Sequence, residues 1–257
     1  MQIAPDSVWP SPPKLLCLAG DEVHVWRAAL DLPQDRLREL RALLSGDELN
    51  RADRLIRVQD RSAFVAGRGI LRDIMGRYLR IAPEEVSFSY GKHGKPSLDR
   101  GEAGVLRFNA SHSSGLLLIA VTLDREIGID VERVRPLGDV DAIVERFFSE
   151  REKMEFRLVS PDVKHEAFYA CWTRKEAYLK AIGEGLGHPL RIFSVSVLPT
   201  EAAGFSAQGL SSEETSSWAL RDLRPQGGYA AAVAVRGPPW SLRCWQWSGS
   251  AVPPVSR

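Results

Sequence analysis

Two short segments bring together three carboxylates and one amine, a set that can hold a cation and act on a phosphate ester. In GIDVE, Asp130 and Glu132 stand at alternate positions. In WTRKEAYLKAIGEG, Glu176 and Lys180 stand four residues apart. Mg²⁺ prefers oxygen ligands of this kind and usually takes substrate phosphates and water as further ligands. The segments therefore indicate a magnesium site that acts on a phosphorylated substrate.

The GIDVE segment follows an apolar run and is typical of a β-strand. Residues i and i+2 of a strand point to the same face. Asp130 and Glu132 would then meet on one face, while Ile129 and Val131 enter the core. Two adjacent carboxylates repel each other, and a cation between them relieves the repulsion. The alternative is an edge strand whose charges face water.

The second pair is predicted to share one face of a long helix, because i and i+4 are neighbours there. Glu176 and Lys180 sit among residues of low polarity, with Trp172 one turn earlier. Gly183 is a plausible C-cap, and with Gly185 it forms a glycine hinge that can pass near a ligand. The alternative is an ordinary surface ion pair.

Two polar loops offer contacts for phosphate oxygens. FNASHSSG places Ser111, His112 and Ser113 between two predicted strands, and GKHGKPS places Lys92 and Lys95 in a glycine loop. A Ser–His hydrolase is the weaker interpretation of the first, because there is no GxSxG segment. The second lacks the spacing of a P-loop. A polar turn and a flexible hairpin loop are the alternatives.

Composition narrows the class of protein. The 257 residues are 44% hydrophobic and 26% charged, with a formal net charge of +1. This size suits one large domain or two small ones, and the charge argues against a nucleic-acid partner. Cys17, Cys171 and Cys244 have no metal-site or disulfide spacing, which favours a reducing compartment. We expect no signal peptide, no membrane-spanning segment and a cytoplasmic location.

Apolar periodicity predicts that each half contains a long helix and several strands. The expected elements of the first half are strands at 15–19 and 22–27, helices at 32–44, 45–57 and 60–79, and strands at 86–90, 105–109 and 116–122. Those of the second half are a strand at 126–132, helices at 140–147, 149–159 and 164–182, and strands at 192–197, 217–221, 229–235 and 241–247.

Because this order of helices and strands occurs twice, the sequence predicts an α+β fold built as a pseudo-twofold pair of similar halves. Each half would be a long helix packed on a small, mainly antiparallel sheet. We place the first half at 1–124, the second at 125–247 and a loose tail at 248–257. Because the halves share one chain, we expect a monomer.

With these residues in place, the chain resembles the 4′-phosphopantetheinyl transferases of the surfactin-synthetase-activating (Sfp-like) class. The matching segments lie between about Asp47 and Val235. In chain order they are RADRLIRVQDRSAFVAGRGILR, GKP, FNASHS, GIDVE, RFFSERE and WTRKEAYLKAIGEGL. The resemblance implies two similar α+β halves with coenzyme A between them. It also implies Mg²⁺-dependent transfer of the phosphopantetheine arm to a serine of an acyl or peptidyl carrier protein, with release of adenosine 3′,5′-bisphosphate.

The resemblance also implies a role for individual residues. Asp130, Glu132 and Glu176 fall where the family binds magnesium, and Glu176, or Glu132 through a water, would take the serine proton. Lys180 falls on the pyrophosphate contact and could protonate the leaving phosphate. The remaining positions implied for coenzyme A are Ser111, His112, Lys92 and Lys95.

Two parts of the resemblance leave the choice of residue open. The early phosphate-binding position of the family is often lysine, and the nearest matches here are Arg51 and Arg54, with Arg68 as a further candidate. An apolar rim would receive the carrier helix, and the candidates are Phe147, Phe148, Met154 and Phe156. Ordinary core packing is the stronger interpretation for at least two of these four. A basic patch for an acidic carrier would come from Arg133, Arg135, Arg146 or Arg151.

Two alternatives remain at this stage. A magnesium-dependent nuclease would also use clustered acids and a lysine, but the near-neutral charge gives no stripe to track a nucleic-acid backbone. A non-catalytic module that binds coenzyme A or carrier protein would not need all three acids.

Overall fold

The computed structural model describes residues 9–91, 94–99, 105–183, 189–206, 211–237 and 239–249. Its helices are α1 (Gln34–Ala42), α2 (Gly46–Asp53), α3 (Val58–Leu79), α4 (Val140–Phe147), α5 (Glu150–Arg157), α6 (Lys164–Ile182) and α7 (Ser212–Ser216). Its strands are β1 (Glu22–Ala29), β2 (Phe88–Tyr90), β3 (Pro96–Leu98), β4 (Leu106–Ser113), β5 (Leu116–Leu123), β6 (Ile127–Arg133), β7 (Trp218–Leu223), β8 (Tyr229–Arg236) and β9 (Ser241–Gln246).

These strands form two main sheets and one small hairpin. The first sheet has the order β4-β5-β1-β9, and the second has the order β6-β8-β7. Neighbouring strands are antiparallel except for β1 and β9, which are parallel. Strands β2 and β3 pair separately as a short antiparallel ribbon. Strands β4 and β6 are therefore edge strands of different sheets.

Alternation along the strands divides the core into layers. In β5, Leu117 and Ile119 pack with α1 and α3, whereas Leu116 and Leu118 face the second sheet. Ile129 of β6 belongs to that same central layer, and the opposite face of its sheet is covered by α6. The two sheets thus pack on each other, with helices on both outer faces. The predicted α+β class, with helices on small, mostly antiparallel sheets, is confirmed.

Three sequence-based strand assignments need correction. Residues 15–19 contain no strand. Residues 192–197 form only an isolated bridge from Val195 to Phe205, after a short 3₁₀ turn at Leu190–Ile192. The strand expected at 241–247 exists, but it pairs with β1 of the first sheet. Local periodicity predicts an extended segment but not the sheet edge with which it pairs. The division of the chain into two halves therefore stays a prediction.

Two cations of the WTRKEAYLKA segment hold α6 in place. Lys175 is fully buried, and its Nζ lies 2.7 Å from both carboxylate oxygens of the equally buried Glu152. Arg174 bonds Asp222 of β7 through Nε and Nη2, at 2.9 Å and 2.5 Å. A buried charge is tolerated when it is paired and hydrogen-bonded. These contacts fix the helix between α5 and the second sheet.

Gly128 sets the distance between α6 and β6. A Cβ atom at this position would lie 2.1 Å from the Ala177 carbonyl oxygen and 2.3 Å from the Ala181 nitrogen. Both are main-chain atoms, which cannot turn aside as the end of a side chain can. The opposite residue on β8 is Ala234, another small side chain. The helix therefore lies directly on the strand that carries Asp130.

None of the described helices combines the length and the hydrophobicity that a membrane-spanning helix needs.

We expect Gly128→Ala to lower the free energy of unfolding by at least about 3 kcal/mol, because the added methyl must push the helix main chain off the strand. Urea unfolding measures the effect. Gly138→Ala is the matched control, since a Cβ there meets nothing within 4 Å. Equal stability of the two variants would contradict the close contact.

Candidate active site

Asp130 is the buried centre of the site. Its side chain is only 4% exposed, and its Oδ1 lies 2.5 Å from Lys180 Nζ. The Ser111 hydroxyl donates to the same oxygen at 2.9 Å, and Lys180 donates to Ser111 at 2.9 Å. Strand β6 supplies the aspartate, helix α6 the lysine and strand β4 the serine. Three elements from both parts of the chain therefore meet at one carboxylate.

Glu132 lies two residues further along the same face of β6. It accepts a hydrogen bond from the Ser113 hydroxyl at 2.7 Å. Burial raises the pKa of Glu132, and the neighbouring Asp130 carboxylate raises it further. The Ser113 hydrogen bond and the Lys180 charge act in the opposite direction and lower this pKa. The expected shared face of the two acids is confirmed.

Glu176, on α6, lies near Asp130 and Glu132. Burial raises the pKa of Glu176 to about 7, with further increases from Asp130 and Glu132 and an opposing effect from Lys180. A carboxyl group with a pKa near 7 can both hold and release a proton at physiological pH. The three acids are thus close enough to influence one another.

Side chains of β4 join the two sheets beside these acids. Asn109 Oδ1 accepts from the Ile129 nitrogen at 2.9 Å, and the Ser113 hydroxyl accepts from the Arg133 nitrogen at 3.2 Å. The Ser111 hydroxyl lies 3.4 Å from the Val131 nitrogen between them. An edge strand exposes unpaired N–H groups. Alternate polar side chains of β4 satisfy them, and the same serines hold the carboxylates.

Lys95 lies against the end of α6. Its Nζ donates to the Lys180 carbonyl oxygen and lies 3.4 Å from the Ile127 carbonyl oxygen. Burial lowers the pKa of Lys95 to about 8, and the Lys180 ammonium also lowers it, whereas the Glu126 carboxylate raises it. Its cation therefore bonds two main-chain carbonyl groups of the second half, next to the predicted phosphate contacts.

His112 is the remaining predicted contact on β4. It stays solvent-accessible, and burial of part of its ring lowers its pKa, as does the Lys180 ammonium. The structure therefore brings Lys95, Ser111, His112 and Lys180 into the neighbourhood of the acids.

The predicted arginines form a separate cluster. Arg68 Nε lies 3.0 Å from the buried Glu48 carboxylate, and its guanidinium donates to the Tyr90 hydroxyl. Arg51 is exposed and lies over the Phe64 ring, 5.4 Å from its centroid. Within the described ranges, no hydrogen bond or ion pair joins Arg51 or Arg68 to the acids. Lys92 lies outside the described residues, as does Gly185.

The donor chemistry of the acids fits a magnesium ion. Asp130 Oδ2 and Glu176 Oε1 are buried and have no hydrogen-bond partner within the described part of the chain. Buried oxygens of this kind are normally satisfied, and a hard cation satisfies carboxylates. Among the described residues, no three acidic, histidine or cysteine side chains form a ready-made metal cluster. Lys180 supplies the positive charge in this arrangement.

Asn109 and Ser113 are site residues that the sequence pattern does not single out. Asn109 is not among the predicted site residues, and Ser113 is predicted only as part of a polar turn. Their spacing carried the signal, since residues 109, 111 and 113 share one face of a strand. What the pattern lacked was the identity of the edge that this face meets.

Comparison with known proteins gives the family. The model of the 4′-phosphopantetheinyl transferase superfamily matches residues 126–234, and that of the 4′-phosphopantetheinyl transferase N-terminal region matches residues 32–124. The chain is 43% identical to the 4′-phosphopantetheinyl transferase HetI of Nostoc sp., over 93% of this chain and 97% of that protein. It is 30% identical to the 4′-phosphopantetheinyl transferase Sfp of Bacillus subtilis, over 64% of this chain and 71% of that protein.

The chain belongs to the 4′-phosphopantetheinyl transferase superfamily. It is therefore an enzyme of the class that transfers phosphopantetheine from coenzyme A to carrier proteins. The nuclease and the non-catalytic module, both open on the sequence alone, are not supported. The chain is more similar to HetI than to Sfp.

We expect Glu176→Gln to remove a pH dependence of stability. The pKa of Glu176 is about 7 in the folded protein against an ordinary 4.5, so the folded state keeps this proton to higher pH than the unfolded chain. Its contribution to stability is therefore lost as pH rises between these two values. In the absence of divalent cations, the melting temperature of the variant should exceed that of the wild type by about 2 °C or more at pH 8. At pH 4 the two melting temperatures should be equal.

Melting curves across this pH range provide the measurement. Glu213→Gln, on the exposed first turn of α7, serves as control and should follow the wild-type profile. Parallel profiles for Glu176→Gln and the wild type would show that this carboxyl is not strained in the folded protein.

Proposed function

We propose that this enzyme converts apo carrier proteins to the holo form by Mg²⁺-dependent transfer of the phosphopantetheine arm of coenzyme A to a serine hydroxyl. Adenosine 3′,5′-bisphosphate is the second product. The observation that carries the proposal is the convergence of Asp130, Glu132, Glu176 and Lys180, with one oxygen on each of two acids unpartnered among the described residues. The proposed subclass is Sfp-like, since both halves of the site come from one chain.

Each residue has a proposed task. The carrier serine oxygen attacks the phosphorus that bears the arm, and the bond from this phosphorus to the oxygen of the adenosine phosphate breaks. Glu176 takes the serine proton directly, or Glu132 takes it through a water. Lys180 contacts the pyrophosphate and donates a proton to the leaving phosphate. Phosphoryl transfer depends mainly on such positioning and charge neutralisation.

Magnesium would be held by Asp130, Glu132 and Glu176. When bound, it would neutralise the charge that develops on the phosphate oxygens. Ser111 and Ser113 orient two of these carboxylates through the hydrogen bonds described above.

The other coenzyme A contacts are proposed on both sides of this centre. Ser111, His112 and Lys180 would meet the phosphates nearest the acids. Arg51, Arg68 and Lys92 would meet the adenosine 3′-phosphate, and Arg51 is the more available of the two arginines because Glu48 already pairs with Arg68. Lys95 would act close to this phosphate while it holds the end of α6.

An exposed apolar surface on α5 supports the carrier partner. Met154 is 58% exposed and Leu158 is 88% exposed, whereas Phe148 and Phe156 are buried core residues. Half-buried Phe147 packs edge-on against Trp172, one turn before Glu176. The surface lies on α5 and at its C-terminal end, and the buried Glu152–Lys175 ion pair ties this helix to the catalytic helix, so a carrier docked there could present its serine.

We also propose a cytoplasmic monomer without nucleic-acid or membrane partners. One chain supplies every residue of the site, which supports the monomer. Coenzyme A and carrier proteins are the only partners that the proposed reaction requires.

We expect Asp130→Asn to reduce transfer at least about 100-fold, the scale of losing one electrostatic stabiliser from such a site. Mass spectrometry of an apo carrier protein, incubated with the enzyme, coenzyme A and Mg²⁺, measures the reaction. The wild type should add one phosphopantetheine, and chelation of Mg²⁺ should prevent it. Asp141→Asn, which alters an exposed ion pair with Lys164, is the control. Wild-type rates for Asp130→Asn would refute the site.

We expect Leu158→Glu to raise the KM for an acidic carrier protein about tenfold, through lost apolar contact and charge repulsion. The KM for coenzyme A should not change. Steady-state kinetics with each substrate varied in turn separates the two. Leu15→Glu, at an apolar residue 58% exposed and preceding β1, is the control. An unchanged KM for the carrier would move the docking surface elsewhere.

A further inference from the structure

Two methionines of the described chain differ completely in their access to solvent. Met154, on α5, is 58% exposed, whereas Met75, on α3, is 0% exposed and packs in the core against the first sheet. A thioether has no proton to lose before it reacts with a peroxide, so its rate of oxidation follows its exposure. Exposure therefore selects Met154 over Met75.

The buried thiols of the described chain are protected from the same oxidant. Burial raises the pKa of the Cys171 thiol well above its ordinary value, and it raises the pKa of the Cys244 thiol to about 12. Both thiols therefore stay protonated, and the thiolate is the form that reacts. Cys17 is exposed, but it precedes β1 and does not belong to α5. Met154 and Cys17 are thus the described sulfur atoms most open to oxidation.

Met154 lies at the centre of the exposed face of α5. Glu152 and Phe156 are both 0% exposed and form the inner face of this helix. With 3.6 residues per turn, Met154 between them points to the opposite side. Leu158 follows four residues later and lies beside Met154 on the same side. The thioether therefore supplies part of the apolar surface described above.

The charged side chains around this surface are paired with one another. Arg151 Nε lies 2.7 Å from Glu155 Oε1, and Arg157 Nη2 lies 2.7 Å from Glu145 Oε1. Because these charges offset each other, the exposed methionine and leucine are the features that distinguish this face. Its apolar character therefore depends on the oxidation state of one sulfur atom.

We propose that Met154 is a redox-sensitive modification site, at which hydrogen peroxide oxidises the thioether to the sulfoxide and thereby weakens carrier binding. The inference rests on the proposed function, because it assumes that the apolar surface of α5 receives the carrier. The sulfur lone pair bonds to one peroxide oxygen as the O–O bond breaks. Sulfur loses two electrons, and the other oxygen leaves as water. The sulfoxide is polar, and methionine sulfoxide reductases return it to the thioether, so the change is reversible.

The first test is the selectivity of oxidation in the folded, full-length protein. Treatment with dilute hydrogen peroxide is followed by digestion and peptide mass spectrometry. The peptide that contains Met154 should gain one oxygen at least about tenfold faster than the peptide that contains Met75, because the buried sulfur reacts only after local opening. Equal rates would overturn the site.

The second test is the effect of oxidation on steady-state kinetics. The KM for the carrier protein should rise about fivefold, the scale of losing one apolar contact, and the KM for coenzyme A should stay the same. Methionine sulfoxide reductase with dithiothreitol should restore the KM for the carrier. Dithiothreitol alone, which reduces disulfides but not a sulfoxide, should leave it raised.

Three variants assign the effect to one sulfur atom. Met154→Leu keeps Cys17, and whatever its KM for the carrier before treatment, peroxide should not change that KM. Met75→Leu, a volume-conserving change in the core, is the matched control and should respond to peroxide as the wild type does. Met154→Gln places a polar group of similar length at the surface and should show the raised KM without peroxide.

The outcomes separate this modification from the reaction itself. Oxidation of Met154 without a rise in the KM for the carrier, or the same rise in Met154→Leu, would overturn the modification site and leave the transferase intact. An untreated wild type that transfers no phosphopantetheine would overturn the proposed function and the role of Met154 with it.

Discussion

The site depends on a steric constraint at Gly128, where helix α6 rests on strand β6. A side chain there would meet the main chain of Ala177 and Ala181, so only glycine allows this contact. The contact puts Glu176 and Lys180 of the helix above Asp130 of the strand. Core packing on either side does not yield to a displaced helix, because interiors are close-packed. The separation between acids and amine is therefore a property of the main chain.

The second requirement is that the edge strands of two sheets meet without main-chain pairing. Asn109, Ser111 and Ser113 supply the acceptors that the N–H groups of β6 need. Since two of these hydroxyls also donate to Asp130 and Glu132, the joint between the sheets and the orientation of the acids share the same atoms. Movement of one sheet relative to the other would disturb the carboxylates directly.

The cations in the second half of α6 have two different roles. Arg174 and Lys175 are fully buried and form ion pairs with Asp222 and Glu152, so they stabilise the position of α6. Lys180, five residues beyond Lys175 on the same helix, is 30% exposed and faces the acids. Burial raises the pKa of Glu176, and so does repulsion from the carboxylates of Asp130 and Glu132. A substrate that brings a cation with it would relieve that repulsion.

The α+β class, the shared face of Asp130 and Glu132, and the helical pair Glu176 and Lys180 could all be predicted from the sequence. Those features follow from backbone periodicity, which is local. The folded structure was needed to show that β9 joins the first sheet, that Lys95 bonds main-chain carbonyls, and that Arg68 is paired with Glu48. Such partners lie far apart in the chain, and the choice among them depends on which surfaces can be packed and which polar groups remain to be satisfied. Periodicity carries no information about either.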